Sequence, residues 1–120
     1  MYNRKSGILL HPTALPSSYG IGDIGSSSYE FIDSLSDMGQ TLWQILPIGP
    51  TDIFNSPYSS TSTFAGNHML ISLDSLVNDK LLDEKDLIHD IYFDRNRVDF
   101  KLVQEFKLPI LKKVCKNFMN

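Results

Sequence analysis

SGILLHPTALPSSYGIGDIGSSSYEFIDSLSDMGQTLWQIL, residues Ser6 to Leu46, is the stretch on which the fold turns. It opens and closes on short apolar runs. Ser6 to Leu10 stops at His11-Pro12, and Thr41 to Leu46 stops at Pro47. Neither run alternates, and a run apolar on both faces is the pattern of a buried parallel strand. Between them lies a polar turn punctuated by Pro12, Pro16, Gly20, Gly22 and Gly25, followed by an amphipathic segment. There Ser26 or Ser27 is placed to cap a helix, Phe31, Ile32, Leu35 and Met38 fall on one face, and Gly39 supplies a left-handed stop. Strand, helix, strand predicts a βαβ unit with parallel strands and a right-handed crossover.

Downstream, Met69 to Leu73 is a third short apolar run, and Asp83 to Asp86 reads as an acidic helix start. Val98 to Phe118 is helical by pattern, with Val103, Phe106, Ile110, Leu111, Val114 and Phe118 on one side. Pro109 is expected to kink or restart that helix, because it lacks a backbone donor. One βαβ unit leaves two parallel strands without neighbours, and all-parallel sheets need both faces covered. A (β/α)₈ barrel takes about 250 residues, so 120 residues hold only its opening part. The closing Phe118-Met119-Asn120, set hard against an apolar helix, fits a truncated chain. The fold class is therefore expected to be α/β, with residues 1–120 one N-terminal piece: first strand, helix, second strand, then a loop-rich insertion and helices. The rest of the barrel is needed for a complete core.

Composition narrows the partners. A formal net charge of −3 offers no electrostatic attraction to nucleic acid or anionic lipid. The apolar run after Arg4 and Lys5 is too short for an export core, and no segment is long enough to span a membrane. The single cysteine, Cys115, cannot form an internal disulfide and falls in an apolar helical pattern, where it is expected to be a small buried hydrophobe. These features point to the cytoplasm.

Gly20-Ile21-Gly22-Asp23-Ile24-Gly25 spells a dinucleotide fingerprint, but about ten residues separate it from the first strand. The glycines are better read as shaping a long βα loop. His11, His68 and His89 lack paired spacing, so no metal site is expected. Asp23 and Asp52 both follow apparent strands and are a formal acid/base pair. The plainer reading is that Asp23 fixes its turn and Asp52 caps a loop.

Leu42 to Asn67 is richer than a structural loop requires. It offers flat faces from Trp43, Phe54, Tyr58 and Phe64 and neutral hydrogen-bonding groups from Asn55, Ser56, Ser59, Ser60 and Asn67. That mixture suits a polar, ring-shaped ligand such as a sugar. Trp43 and Phe64 have the plainer alternative of filling the core beneath the loop. Tyr58, held behind Pro57, is the candidate stacking face and Ser56 the candidate hydrogen-bonding group.

Taken together, Ser6 to Thr13, Leu15-Pro16, Tyr19 to Asp23, Gly39-Gln40, Leu42 to Gln44, Leu46-Pro47, Gly49 to Thr51, Ser56 to Tyr58, Phe64 to Asn67 and Leu70 to Leu73 resemble the N-terminal part of the amylomaltase, or 4-α-glucanotransferase, family. The resemblance implies a (β/α)₈ TIM barrel that transfers α-1,4-glucan segments between maltooligosaccharides with retention, through a glycosyl-aspartate intermediate and a glutamate acid/base. It implies no cofactor. It also implies that Ser56 and Tyr58 lie beside the donor sugar, and that the catalytic carboxylates belong to later strands, so that no catalytic residue falls in this chain. Ile53 stands where many members carry a tyrosine linked to a second glucan site. Ser59, Ala14 and His68 are further departures from the usual residues. The isolated piece is then expected to be inactive. Two other readings are a non-catalytic remnant that binds glucan or a partner, and a small glycosidase using Asp23 and Asp52.

Overall fold

The computed structural model describes residues 3–119. Strand β1 (Gly7–Leu9) pairs in parallel with β2 (Leu42–Gln44), in the register Gly7 to Leu42, Ile8 to Trp43 and Leu9 to Gln44. Helix α1 (Ser26–Asp37) connects them, so the expected βαβ order is present. Hydrogen bonds from Thr41 N to Ser6 O and from Leu10 N to Gln44 O, both 3.0 Å, extend the ladder past each end. Gly7 is required where the strands meet, since a Cβ there would lie 2.2 Å from the Leu42 carbonyl oxygen. The helix ends as its sequence indicates, with Gly39 at φ +70°.

Its start differs from the expectation. The cap position belongs to Gly25, and no side chain caps the first turn. Ser27 and Ser28 instead donate their hydroxyls backwards, to Pro16 O at 2.8 Å and Asp23 O at 2.6 Å. Those bonds fasten the preceding loop to the helix. Ser, Thr and Asn compete in this way whenever a nearby carbonyl lacks a partner.

The strands are not buried. All three residues of β1 are exposed, Leu9 at 59%, and Leu42 in β2 at 49%. The core lies elsewhere, where Ile21 of the long βα loop, Met69 and Val103 meet, with Phe93, Val98, Phe100, Leu108 and Leu111 packed around them. Met69 belongs to a 3₁₀ turn (His68–Leu70), so the run from Met69 to Leu73 is not a strand. Its C-terminal end starts helix α2 (Leu73–Asn78), which Ser72 caps by accepting from Ser75 N at 3.3 Å. The acidic segment forms only a 3₁₀ turn, Glu84–Leu87.

Helix α3 (Phe100–Met119) passes through Pro109 as one element. One missing donor is tolerated because Val103 and Val114, on either side of it, are both buried. Cys115, expected inside, is exposed: it sits one position round from the buried Val114. Asn120 lies outside the described residues.

The shape is elongated, 53 × 32 × 30 Å, with a radius of gyration of 15.9 Å. A compact chain of this length would have about 13.6 Å. The accessible surface of 8882 Å² also exceeds the roughly 6,600 Å² of a compact monomer of this mass. Apolar surface on the sheet and on the end of α3 accounts for part of the excess, since Phe118 and Met119 are both about three-quarters exposed. No described helix is long and apolar enough to cross a membrane.

Candidate functional site

The loop after β2 is braced by its own backbone. Asn67 N donates to Ile48 O at 2.7 Å, Thr61 N to Pro50 O at 3.3 Å, and Thr51 and Ser60 form an antiparallel bridge. At the tip, the Asp52 carboxylate accepts from Phe54 N at 2.9 Å and Ser56 N at 3.5 Å, which folds residues 52–56 into a turn. Asn55 takes φ +57°, a conformation asparagine tolerates better than most residues. Ser59 N bonds back to Ser56 O at 3.1 Å. Pro57 is thus fixed between two hydrogen-bonded residues.

This framework presents Ser56 and Tyr58 together. Tyr58 N donates to Ser56 Oγ at 3.3 Å, which leaves the serine hydroxyl proton directed elsewhere. The Tyr58 ring is 74% exposed, and Phe54 at 80% and Phe64 at 98% flank the same loop. Phe64 therefore does not fill a core. Trp43 is half-buried and packs inward: its Nε1 donates to Leu10 O at 2.7 Å and its ring meets Phe31 edge-on at 5.0 Å, joining α1 to both strands. Other polar groups of the loop serve the loop itself. Asn67 caps the following 3₁₀ turn by accepting from Met69 N at 2.9 Å, and Ser60 Oγ donates to Ser62 O at 2.6 Å.

The two aspartates have separate surroundings. Asp52 is bound to its own turn. Asp23 is buried, and its charged neighbours are Lys107, which favours ionisation, and Asp74, which opposes it. Burial dominates and holds the Asp23 carboxyl above the usual range. A carboxylate pair from Asp23 and Asp52 is not what the fold builds. The fingerprint-like glycines also serve the turn: Gly20 sits at φ +77° directly under the Phe93 ring.

Sequence reading passed over two contacts around Asp23. Lys107, fully buried in α3, donates its ammonium protons to Met69 O at 2.7 Å and Ile71 O at 2.8 Å, and burial lowers its pKa to about 8. A signal was present, since Lys107 lies four residues past Val103 on the apolar stripe. Tyr19 donates its hydroxyl to the Asp74 carboxylate at 2.5 Å, and burial and that bond hold the phenol well above its ordinary pKa. Its ring stacks on Phe106 at 6.0 Å within a cluster that includes His89 and Phe93. No short spacing announces this cluster. Among the described residues no group of three or more His, Cys, Asp or Glu side chains is placed to hold a metal ion.

The 4-alpha-glucanotransferase family model matches residues 10–120. A 4-alpha-glucanotransferase of Aquifex aeolicus is 47% identical over 117 residues, covering 96% of this chain and 24% of the relative. The chloroplastic/amyloplastic 4-alpha-glucanotransferase DPE1 of Arabidopsis thaliana is 39% identical, covering 98% of this chain and 20% of its own length. Among solved structures, an amylomaltase from Streptococcus agalactiae in complex with acarbose superposes with a TM-score of 0.92 at 39% identity, over 98% of this chain and 24% of that one. This chain spans about a quarter of the length of the relatives it matches. With that extent and identity across nearly every residue, the chain belongs to the 4-alpha-glucanotransferase family.

Proposed function

We propose that this chain is the opening part of a (β/α)₈ barrel in a cytoplasmic 4-α-glucanotransferase, and that Ser56 and Tyr58 hold the donor sugar of an α-1,4-glucan. The whole enzyme would move glucan segments between maltooligosaccharides with retention, in two displacements through a covalent intermediate. The observation that carries this reading is the braced Ser-Pro-Tyr turn. Its backbone bonds are satisfied internally while the Tyr58 ring stays open to solvent. An aromatic face fixed before ligand arrives loses little entropy on stacking, and a hydroxyl beside it sets the orientation of the sugar.

Retention needs two carboxyl groups about 5–5.5 Å apart across the scissile bond. Asp52 is committed to its turn and Asp23 faces Lys107 and Asp74, so neither supplies that pair. On this reading the residues present bind and orient substrate, and bond cleavage belongs to carboxylates outside them. The experiment is to incubate the 120-residue chain with maltotriose and follow glucose and longer oligomers by chromatography. No product above a blank is expected. Glucose release would sink the assignment of catalysis to absent residues. Unchanged NMR resonances at Ser56 and Tyr58 under saturating maltotriose would sink their binding role.

A further inference from the structure

A cleft of about 770 Å³ opens on a part of the molecule that shares no residue with the Ser-Pro-Tyr loop. Its walls come from four separate segments. Ser17 and Ser18 belong to the loop after β1, Ser26 and Ser27 to the first turn of α1, Asp74 to the first turn of α2, and Tyr92, Phe93 and Arg95 to the segment before α3. Asp23 lies on its inner wall. That residue is only 9% exposed, yet its carboxylate has no hydrogen bond and no ion pair within 4.0 Å among the described residues. Lys107, the cation that favours its ionisation, gives two of its three donors to the Met69 and Ile71 carbonyls and makes no hydrogen bond to it. A residue buried to this degree normally gives its carboxylate protein donors, and the Asp23 oxygens, still open toward the cleft, are free to take them from a ligand.

We propose that this cleft is a second carbohydrate site, taking one or two units of a neutral sugar through hydroxyl groups that donate to Asp23 and Asp74. The lining excludes the other ligand classes. Two carboxylates repel an anion. A divalent cation lacks a cluster of three ligating side chains among the described residues, and the Arg95 guanidinium on the rim opposes it. An apolar ligand would cover the Asp23 carboxylate and the Arg95 guanidinium without giving either a partner. A sugar meets every group. Its hydroxyls donate to the carboxylates and accept from Arg95, and its C–H face has the Tyr92 ring, 82% exposed, to lie on. The volume is in the range of small-molecule sites.

The test is a ¹H–¹⁵N NMR titration of the full chain with maltotriose, with calcium chloride as a separate arm. Saturable shifts at Tyr92, Phe93 and the Arg95 side chain are expected, about tenfold weaker in Tyr92→Ala and in Arg95→Ala. Both positions are exposed, so these variants keep the fold. Tyr58→Ala is expected to leave the shifts at Tyr92 and Arg95 unchanged, which separates this site from the loop. No shift at residues 92–95 with maltotriose up to about 50 mM, or the same shifts produced by calcium alone, overturns the proposal. Shifts confined to Ser56 and Tyr58 overturn it while leaving the loop's role intact.

Discussion

Lys107 of α3 and Met69 of the 3₁₀ turn are joined by a 2.7 Å hydrogen bond between a fully buried ammonium and a backbone carbonyl. The bond ties the last helix to the segment that carries the core methionine. Burial lowers the Lys107 pKa from 10.5 to about 8, with Asp23 resisting the shift. Because the folded state releases this proton more readily than the unfolded chain, the unfolded state binds more protons between about pH 8 and 10, and stability rises with pH there. The gain is up to roughly 3 kcal/mol. Above pH 10 Tyr19 acts in the opposite sense, since its phenol holds the proton in the folded state and gives it up when unfolded. Urea unfolding at pH 8, 9 and 10 is expected to show rising midpoints that Lys107→Met flattens. A wild-type midpoint that does not rise across that interval would contradict this account.

Gly20→Ala is expected to destabilise the chain by about 2–4 kcal/mol. The backbone there is left-handed, and an added Cβ would fall 2.3 Å from the Phe93 ring, which itself meets Phe106 at 5.6 Å. The ring cannot retreat without disturbing the aromatic cluster. A thermal or urea midpoint within error of wild type would show that the cluster is softer than its packing indicates.

Trp43→Phe tests the link between strands and helix. It removes the Nε1 donor to Leu10 O and shortens the ring that meets Phe31. An expected loss of about 1–3 kcal/mol reflects a half-buried carbonyl left without its partner. Recovery of full stability in Trp43→Phe would mean that water replaces the indole at no cost.

On the proposed function, binding and folding separate within the Ser-Pro-Tyr loop. Tyr58→Ala removes an exposed ring and is expected to change stability by less than about 0.5 kcal/mol, while weakening maltotriose binding about tenfold. Asn67→Ala is expected to do the reverse, costing about 1 kcal/mol through loss of the cap on Met69 N and leaving the affinity of the folded fraction near wild type. Parallel affinity and unfolding measurements on both variants check this. Equal losses of affinity in the two would show that Tyr58 acts only through loop structure.

The βαβ order was legible because two short apolar runs bracket a 3.6-period stripe with a glycine stop, and each of those signals is local. Burial was less legible. Ile8, Leu9 and Leu42 read as core, yet they stay exposed because the segments that form the core here, around Ile21, Met69 and Val103, pack against α3 and not against the sheet. Strand pattern reports what a segment can bury, not what lies over it. Ser56 and Tyr58 stood out through composition and resemblance. The surroundings of Asp23 did not, because Asp74 and Lys107 come to it from positions 51 and 84 residues away in sequence. Cys115 shows the limit of a helical stripe: one position beyond Val114 was enough to carry it to the surface.

The rung at which Gly7 lies beneath the Leu42 carbonyl has a bearing on how the chain is made. Only 35 positions separate those partners, and the link between the two strands holds only loop, one 3₁₀ turn and helix α1. Shifting the pairing by one would put Ile8 or Ser6 where no side chain fits, so misalignment is blocked sterically at the outset. A nascent polypeptide can therefore set its first two strands in final alignment without help from any residue beyond Gln44.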